Sequence, residues 1–440
     1  MNNQNKFLTG FKKFIFFQYL KLHVFSKYLK RLLLGEINLE QFIVFLKRVL
    51  LLFNKIKINK VVKTRGVYKI HIYLPAFPTK AFFIALDKFL VQKPSLLNLY
   101  PTSVLLSMSK ACNYKCPHCY QRLDSTEKMP LKILLQTAKQ LQDSNISFIN
   151  IEGGEPLIEF DRLVALLKAI DEKRSEVWIN TNGAFLTKER AKKMKDLGVF
   201  GVMVSLHHWQ EKEHDKFVGV RGAHKTAMSS LKIFNEIGLS TAINCTGTQD
   251  LIEDGGFDKI MKMAKDTNCS IVQLIHEKPA GAWLSRKGVL RKEYIKKLCK
   301  YHLAYSLDRK FKKYPAISSQ SYESLGSCFG CTAGGIERFY VNSSGEVQPC
   351  EFVNVSFGNL TKEPFIEIYK RMRKVFDVPR TKWICCSESY KIAEAVKGLK
   401  QKRTPLSKEL SKEIINSFDL GEKTPLYEKM GLYNYDKKIE

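Results

Sequence analysis

The sequence predicts an α/β protein: a six-stranded partial (β/α)6 barrel with an N-terminal helical extension and a small C-terminal α+β domain. Three observations lead to this fold class. Short apolar segments alternate with longer helical patterns over residues 101–310. The cysteines become denser after residue 310, and the first 66 residues are basic, aromatic and helical in pattern. With 440 residues, the chain is long enough for two or three domains.

The central region contains six strand candidates separated by helical segments. The strands are expected at 103–109, 147–152, 177–180, 201–206, 240–245 and 270–274, with helices such as 131–141, 162–170 and 227–237 between them. Strands that alternate with helices form βαβ units and a parallel sheet. Six units are too few for an eight-fold barrel, so a partial barrel or an open sheet is expected. In either architecture, chemistry belongs at the carboxyl ends of the strands.

The N-terminal extension, residues 1–66, holds 14 Lys and Arg and 2 Glu, a net charge of +12. Two amphipathic helices are expected, the first ending near Gly35 and the second capped by Asn38. The apolar face predicted for the first helix consists of Phe14, Phe17, Leu20, Val24 and Tyr28. Such helices suit a peripheral contact with an anionic membrane, and equally a helical pair packed on the main domain. A strand-rich peptide-binding domain is not expected here, and nothing in the segment resembles a base-reading motif for specific nucleic acid.

The remaining segments complete the predicted domain organisation. Residues 67–100 are expected to be a linker with a strand at 67–74, residues 311–390 the cysteine-rich domain, and residues 391–440 a charged helical tail. No apolar run reaches the roughly 18 residues that span a bilayer, and no secretory signal is evident. A cytoplasmic protein is therefore expected, with a peripheral position at the inner face of the membrane as one alternative. Its eleven cysteines should be reduced, and metal ligation is the usual reason for so many.

The sharpest motif follows the first predicted strand. Cys112, Cys116 and Cys119 have the spacing C-x3-C-x2-C. Three thiolates on one short loop can bind three irons of a [4Fe–4S] cluster and leave the fourth iron open to a small molecule. Zinc sites with four cysteines normally use paired C-x2-C knuckles, and this loop has one such pair. The spacing therefore favours a cluster with one open iron over zinc.

One unit later, the second strand runs into Glu152-Gly153-Gly154-Glu155-Pro156. The two glycines permit a tight turn and close backbone approach, and a carboxylate at a strand end can accept hydrogen bonds from an ammonium group. Together with the cysteine loop, this element resembles the radical S-adenosylmethionine (SAM) superfamily over about residues 100–390. The resemblance implies a SAM-binding [4Fe–4S] cluster on the three cysteines, and contact of Gly153, Gly154, Glu155 and Pro156 with the amino group of SAM.

The same resemblance implies further contacts with SAM at the ends of later strands. Asn182, Ser205 and Asn244 are the candidate polar contacts, and Arg221 is a candidate partner for the SAM carboxylate. His207 and His208 are adjacent on a strand and point to opposite faces, so they are not expected to share a metal. His276 and Glu277 follow the sixth strand, near the expected substrate, and receive no role.

A second cysteine set lies in the C-terminal third: Cys328, Cys331, Cys350, Cys385 and Cys386. Together with a hairpin expected at 339–350, it resembles the SPASM auxiliary-cluster extension, or its shorter form, Twitch. The further downstream cysteine pairs of the full SPASM pattern are missing from this sequence. The five cysteines suffice for one auxiliary [4Fe–4S] cluster, and a zinc site on Cys328, Cys331, Cys350 and Cys385 is the alternative. The isolated Cys245, Cys269 and Cys299 are expected to be buried core thiols.

The resemblance implies an enzyme of the oxidoreductase or maturase type. An external reductant of the flavodoxin or ferredoxin type would supply one electron, SAM would be cleaved to a 5′-deoxyadenosyl radical, and that radical would abstract hydrogen from the substrate. The catalytic residues beyond the cofactor ligands are not indicated. The substrate is either a peptide or protein side chain or a membrane lipid precursor. The alternative from another class is a non-catalytic, zinc-binding basic module that contacts nucleic acid, which would not need six βα units or a Gly-Gly-Glu-Pro turn.

Overall fold

The computed structural model describes residues 5–95, 98–287, 289 and 291–433. Residues 1–4 of the predicted extension and 434–440 of the predicted tail lie outside the described residues. The main sheet has nine strands in the order β10-β9-β8-β7-β6-β5-β4-β11-β12. A separate three-stranded sheet, β1-β2-β3, belongs to the N-terminal region.

The centre of the main sheet is a run of six parallel strands, as predicted. They are β4 (Ser103–Ser107), β5 (Phe148–Glu152), β6 (Glu176–Thr181), β7 (Val199–Ser205), β8 (Ser240–Gly247) and β9 (Ile271–His276). Most of their side chains are buried on both faces, because helices cover the outside and the enclosed interior covers the inside. This double burial is the reason that each strand is a continuous apolar run in the sequence.

The expectation of six strands was wrong at both edges of the sheet. Strand β10 (Ala316–Ser319) pairs parallel to β9 at one edge. Strand β11 (Arg338–Val341) pairs parallel to β4 at the other edge and forms the predicted hairpin with β12 (Val347–Gln348). All three strands come from residues that were assigned to the C-terminal domain, so the main sheet continues across that assignment.

Helices connect the strands and cover the outside of the sheet. Those of the central region are α4 (Leu131–Asp143), α5 (Phe160–Ala169), α6 (Lys188–Asp196), α7 (Glu211–Val218), α8 (Ala223–Ile237), α9 (Gln249–Glu253), α10 (Gly256–Asp266) and α11 (Lys292–Leu307). The C-terminal third adds α12 (Gln320–Glu323), α13 (Phe365–Val375), α14 (Ile384–Ser387), α15 (Ser389–Gly398), α16 (Lys408–Asn416) and α17 (Pro425–Met430). Short 3-10 turns lie at Lys88–Leu90, Gly281–Trp283 and Arg309–Phe311.

The N-terminal region is not helical alone, contrary to expectation. Its two long helices are present: α1 (Gly10–Leu33) and α2 (Leu39–Ile56), whose cap Asn38 accepts from the Gln41 backbone N–H at 2.8 Å. The region also contains three short antiparallel strands, β1 (Lys6–Leu8), β2 (Val61–Thr64) and β3 (Val67–Lys69), and helix α3 (Lys80–Asp87). The β2–β3 hairpin crosses the expected boundary at residue 66, because Arg65 and Gly66 form its turn.

Buried polar contacts attach the N-terminal region to the barrel and the C-terminal segment to the N-terminal region. The ammonium of Lys69 forms a buried ion pair with Glu176 at the start of β6. The guanidinium of Arg48 in α2 donates to the carbonyls of Met430 and Gly431, at 2.9 and 3.1 Å. The described part of the expected tail therefore packs on the N-terminal helices. No helix in the described part of the chain is both long and apolar enough to cross a membrane.

Candidate active site

A cavity of about 390 Å³ opens at the carboxyl ends of the barrel strands. Its walls come from the loop after β4, from the ends of β5 to β9, and from the loop after β12. The lining includes most of the residues that the sequence singles out: Cys112, Cys116, Cys119, Gly153, Gly154, Asn182, Ser205 and Asn244. A volume of this size is within the range of pockets that bind small molecules and cofactors.

The three cysteines of the first motif lie on one loop and all face this cavity. Burial raises the pKa of Cys116 to about 12 and that of Cys119 to about 11, and it also raises the pKa of Cys112. Neighbouring thiols raise the pKa of Cys116 and Cys119 further, and the Glu155 carboxylate raises that of Cys112, because like negative charges repel. Three crowded thiols that resist ionisation alone are suited to a cationic group that binds all three as thiolates.

Gly153 and Gly154 hold the entry of the cysteine loop against the end of β5. The Gly154 N–H donates to the Ser109 carbonyl at 2.8 Å, and the Glu155 N–H donates to the Ala111 carbonyl at 2.7 Å. A Cβ on Gly154 would lie 2.5 Å from the Lys110 oxygen, and one on Gly153 would overlap the Ser109 carbonyl. Gly153 also has φ of +156°. The glycines are therefore needed for the close approach of two backbones.

Glu155 and Pro156 do not line the cavity. Both are buried behind its wall, and the Glu155 carboxylate accepts from the Asn182 N–H, the Leu157 N–H and the Thr181 hydroxyl at 2.7 to 3.0 Å. Burial raises the pKa of Glu155 to about 7. The carboxylate joins the ends of β5 and β6, so its expected direct contact with an ammonium group is not what the structure shows.

Of the four later candidates, three are brought together and one is not. Asn182, Ser205 and Asn244 line the same cavity, and the Asn182 amide donates to the Asn113 side chain on the cysteine loop at 3.0 Å. Arg221 is exposed in the turn between α7 and α8 and does not line the cavity. Nearness along the chain to a strand end does not bring it into the pocket, because α7 intervenes.

The two histidines have different environments, although both lie beyond the end of β7 at Ser205 and not on the strand where they were expected. His207 is buried in the cavity wall, where its ring accepts from the Thr246 N–H at 3.1 Å, whereas His208 is half-buried outside it. His276 lines the cavity and contacts the Cys386 thiol, with 3.4 Å between Nε2 and Sγ. Glu277 forms an ion pair with Arg286 instead. His276 therefore connects the cavity with the second cysteine set.

Four of the five C-terminal cysteines converge. Cys331, Cys350 and Cys385 surround a small cavity of about 20 Å³, and the Cys386 sulfur lies 3.7 Å from that of Cys385. Burial raises the pKa of Cys331 and of Cys350, while donation from Cys386 and the charge of Lys278 lower that of Cys385. The cavity has room for about one water molecule, so a cluster bound here would require the thiols to spread outward.

Cys328 does not join this group. It is buried near Glu323 and Lys55. The N–H of Cys328 donates to the Leu325 carbonyl and closes a turn, whereas Cys331 pairs with Arg380 on a different segment. The predicted zinc set of Cys328, Cys331, Cys350 and Cys385 is therefore not assembled. No three Cys, His, Asp or Glu side chains among the described residues are arranged for a single metal ion. A cubane differs in this respect, because each of its irons takes one separate cysteine.

The remaining cysteines agree with expectation in two of three cases. Cys245 and Cys269 are fully buried, and Cys299 is partly buried.

Comparison with known sequences decides between the alternatives. Residues 106–255 match the radical SAM superfamily, and residues 312–388 match SPASM, described as an iron–sulfur cluster-binding domain. The chain belongs to the radical SAM superfamily and carries a SPASM domain. The radical SAM match contains the loop of Cys112, Cys116 and Cys119, and the SPASM match contains all five C-terminal cysteines. The radical SAM domain implies a [4Fe–4S] cluster and SAM as cofactors, and the SPASM domain implies additional iron–sulfur clusters. The non-catalytic zinc-binding module receives no support.

Relatives of this radical SAM enzyme are themselves enzymes. The AdoMet-dependent heme synthase of Methanosarcina barkeri is 25% identical over 319 residues, which cover 66% of this chain and 89% of the relative. The GTP 3′,8-cyclase of Helicobacter pylori is 25% identical over 56% of this chain and 79% of the relative. Among solved structures, Streptococcus suis SuiB bound to S-adenosylmethionine has a TM-score of 0.55 at 18% identity, covering 69% of this chain and 76% of SuiB. That likeness concerns the fold alone.

Two groups in the radical SAM cavity were given no role from the sequence. The Tyr120 hydroxyl donates to Glu152, whose carboxylate also accepts from the Asn180 amide at 3.1 Å. Burial raises the pKa of Glu152 to about 8. The Oδ1 atom of Asn180 is buried and has no hydrogen-bond partner among the described residues, which leaves one acceptor facing the cavity for a ligand.

Lys278 is the second such group and lies between the two cysteine sets. It is buried, lines both cavities, and its Nζ lies 3.5 Å from the Cys385 sulfur. The thiols of Cys385, Cys386 and Cys350 raise its pKa against the effect of burial. No carboxylate of the described residues forms an ion pair with it. A buried ammonium without a carboxylate is costly unless another anion is near.

Proposed function

We propose that Cys112, Cys116 and Cys119 hold a [4Fe–4S] cluster that binds SAM, and that the cavity above it positions a substrate for hydrogen abstraction. The observation that carries this proposal is the convergence of the three thiols with Asn182, Ser205 and Asn244 in one cavity. The chemistry supplied by the bound cluster and SAM is reductive cleavage to methionine and a 5′-deoxyadenosyl radical, with the electron coming from a cytoplasmic flavodoxin- or ferredoxin-type donor.

The protein's own residues position the reactants and control protons. Gly153 and Gly154 fix the cysteine loop, and the unpartnered Asn180 oxygen accepts a hydrogen bond from the bound ligand. The Tyr120–Glu152 pair is placed in the cavity wall with a carboxyl whose pKa of about 8 lets it hold or release a proton near neutral pH. It is the candidate base for a substrate that loses a proton as well as a hydrogen atom.

The second cluster is proposed to bind Cys331, Cys350, Cys385 and Cys386. Four cysteines match the four irons of a cubane, and the nearby cations Lys278 and Arg338 suit the negative charge of thiolate ligation. A cluster held there would supply an electron acceptor for the substrate radical, and the net reaction would then be an oxidation of the substrate. His276 and Lys278 lie between this site and the cavity.

The substrate is proposed to carry a carboxylate. The cavity lining has more cationic side chains than carboxyl groups. The cations are Lys110, Lys115, Arg122 and Lys278, and the carboxyl groups are those of Glu152 and Glu351. Relatives named heme synthase and PqqA peptide cyclase favour a tetrapyrrole or a peptide as the carrier of that group. A membrane lipid precursor with an anionic head remains the further candidate, favoured by the basic N-terminal helices.

Anaerobic reconstitution tests the two clusters. Wild type should bind about eight irons, four per cluster, and form 5′-deoxyadenosine with SAM and dithionite. Cys116→Ala should lose about four irons and all 5′-deoxyadenosine, while Cys350→Ala should lose about four irons and keep SAM cleavage. Cys299→Ala is the matched control and should behave as wild type. Absence of iron from wild type, or cleavage by Cys116→Ala, would overturn the proposal.

The substrate class is tested by the rate of 5′-deoxyadenosine formation. Fe-coproporphyrin III, an acidic peptide and an isoprenoid diphosphate are compared, each of the first two beside its methyl ester. We expect one of the free acids to stimulate 5′-deoxyadenosine formation, and its methyl ester to stimulate it at least tenfold less. Equal stimulation by acid and ester, or by the diphosphate alone, would reject a carboxylate.

A further inference from the structure

The large apolar side chains that stay exposed are concentrated on the two N-terminal helices. Eleven of the seventeen that are exposed in the described part of the chain lie between Phe11 and Leu50. The other six are scattered over the rest of the described protein. Isolated exposed apolar residues need no explanation, but a concentration of this kind marks an interaction surface.

Helix α1 is apolar on two opposite faces. One face, with Phe17, Leu20, Val24 and Tyr28, is buried against the body of the protein. The Tyr28 hydroxyl donates to Asp87 at 2.7 Å, which fixes the helix in place. Phe14 was expected on this face, but it is 57% exposed. Core packing therefore accounts for half of the apolar residues of α1 and leaves the other half exposed to solvent.

The exposed face of α1 forms a continuous stripe. We name it the α1 outer face, and it consists of Phe11, Phe14, Ile15, Leu22, Phe25 and Leu33. Phe11, Leu22 and Leu33 are 11 residues apart, about three turns at 3.6 residues per turn, so they lie in line. Phe14 and Phe25 have the same spacing. A groove beside them is lined by Ile15, Tyr19, Leu22 and Phe25.

Lysines border this face on both sides. Lys12 and Lys30 are 18 residues apart, about five turns, and so lie on one edge. Lys21 is nine residues from each, about two and a half turns, and so lies on the opposite edge. The helix holds six Lys and Arg and no Asp or Glu. A rigid apolar stripe between two cationic edges matches the apolar interior and anionic head groups of a membrane surface.

We propose that the α1 outer face docks this enzyme on an anionic membrane, with α1 lying in the plane of the interface. A second copy of the chain is disfavoured, because the lysines that border each α1 outer face, Lys12, Lys21 and Lys30, would face those of the other copy. The docking does not depend on the radical chemistry.

The test is co-sedimentation of the full-length, reconstituted protein with vesicles. Vesicles of 30% phosphatidylglycerol in phosphatidylcholine are compared with pure phosphatidylcholine. Wild type should bind the anionic vesicles at least tenfold more tightly, and less tightly in 0.5 M salt. The variant Phe14→Ser/Leu22→Ser/Phe25→Ser should lose at least tenfold in affinity, and Lys12→Glu/Lys21→Glu/Lys30→Glu should lose binding to anionic vesicles.

Leu303→Ser/Leu307→Ser is the matched control, since both leucines are exposed on α11 and away from the α1 outer face. It should bind as wild type. Light scattering and 5′-deoxyadenosine formation are measured on every variant, so that loss of fold or of chemistry is distinguished from loss of docking. Absence of vesicle binding by wild type would overturn the proposal. So would a dimer that only the α1 triple-serine variant abolishes, or binding that this variant retains.

Discussion

Replacement of Gly154 by alanine should remove the SAM-binding cluster and leave the SPASM cluster in place. The added Cβ would lie 2.5 Å from both the Lys110 oxygen and the Ala111 carbonyl carbon, closer than the 3.0 Å that Cβ atoms tolerate. These are backbone atoms at the entry of the cysteine loop, so no side chain can rotate to relieve the overlap. The loop itself must move away from β5.

The magnitude follows from what the movement breaks. The hydrogen bonds from Gly154 to Ser109 and from Glu155 to Ala111 would both lengthen, at about 1 kcal/mol each. Overpacking costs a further 1–3 kcal/mol, roughly. A total of about 3–5 kcal/mol lies within the stability of a folded protein, so the chain should fold with its cysteine loop displaced.

The assay is iron content and 5′-deoxyadenosine formation after anaerobic reconstitution. Gly154→Ala should bind about four irons instead of about eight and form no 5′-deoxyadenosine. The matched control is Gly398→Ala, because a Cβ on Gly398, at the end of α15, meets no atom within 4 Å and alanine favours the helix. Full iron content and SAM cleavage in Gly154→Ala would refute the assigned role of the glycine pair.

Three further changes test other contacts. Lys69→Met should destabilise the fold by about 3–5 kcal/mol in urea unfolding, because Glu176 stays buried without its cation; the double variant Lys69→Met/Glu176→Gln should recover most of the loss. Lys278→Met should lower the reduction potential of the SPASM cluster in an EPR-monitored titration, on the order of tens of millivolts, and Lys278→Arg should restore it; unchanged potentials would exclude Lys278 as a neighbour of that cluster. Burial raises the pKa of Glu152 to about 8, so the native state binds more protons than the unfolded state between pH 4.5 and 8, and stability falls as pH rises through that window. The melting temperature of Glu152→Gln should therefore depend less on pH than that of wild type. Equal slopes of melting temperature against pH in the two proteins would contradict the burial of this carboxyl.

The central strands were predictable because of how they are buried. Each of β4 to β9 is covered on both faces, and so each is an apolar run bounded by turn residues. Strand β10 has four residues, too short for a periodic signal, whereas the β11–β12 hairpin was expected from its turn but not its place in the main sheet. These places depend on pairing with distant strands, β10 with β9 and the hairpin with β4, which local sequence does not encode.

The site was predictable where its chemistry depends on spacing and not where it depends on burial. Cys112, Cys116 and Cys119 have a spacing that few other sites share, whereas Lys278 is one lysine in a chain with 72 Lys and Arg. Its position between two cysteine sets appears only in the folded chain. Glu155 illustrates the reverse case: the motif was recognised, but its carboxylate is occupied by backbone donors.

Helix α1 shows why the positive charge of this chain has two explanations and not one. Most lysines are spread along the sequence and lie on ordinary solvated surface, where they need no partner. In α1 the lysines instead border a stripe of exposed aromatic and aliphatic side chains. Periodicity alone could not separate the two apolar faces, because a helix that is apolar on both sides has no single hydrophobic direction. Once the fold assigns Phe17, Leu20 and Val24 to the core, most of the α1 outer face is left exposed, although the Phe25 ring contacts that of Phe42 in α2. The lysines at its borders are the reason that we propose a partner that is both apolar and anionic.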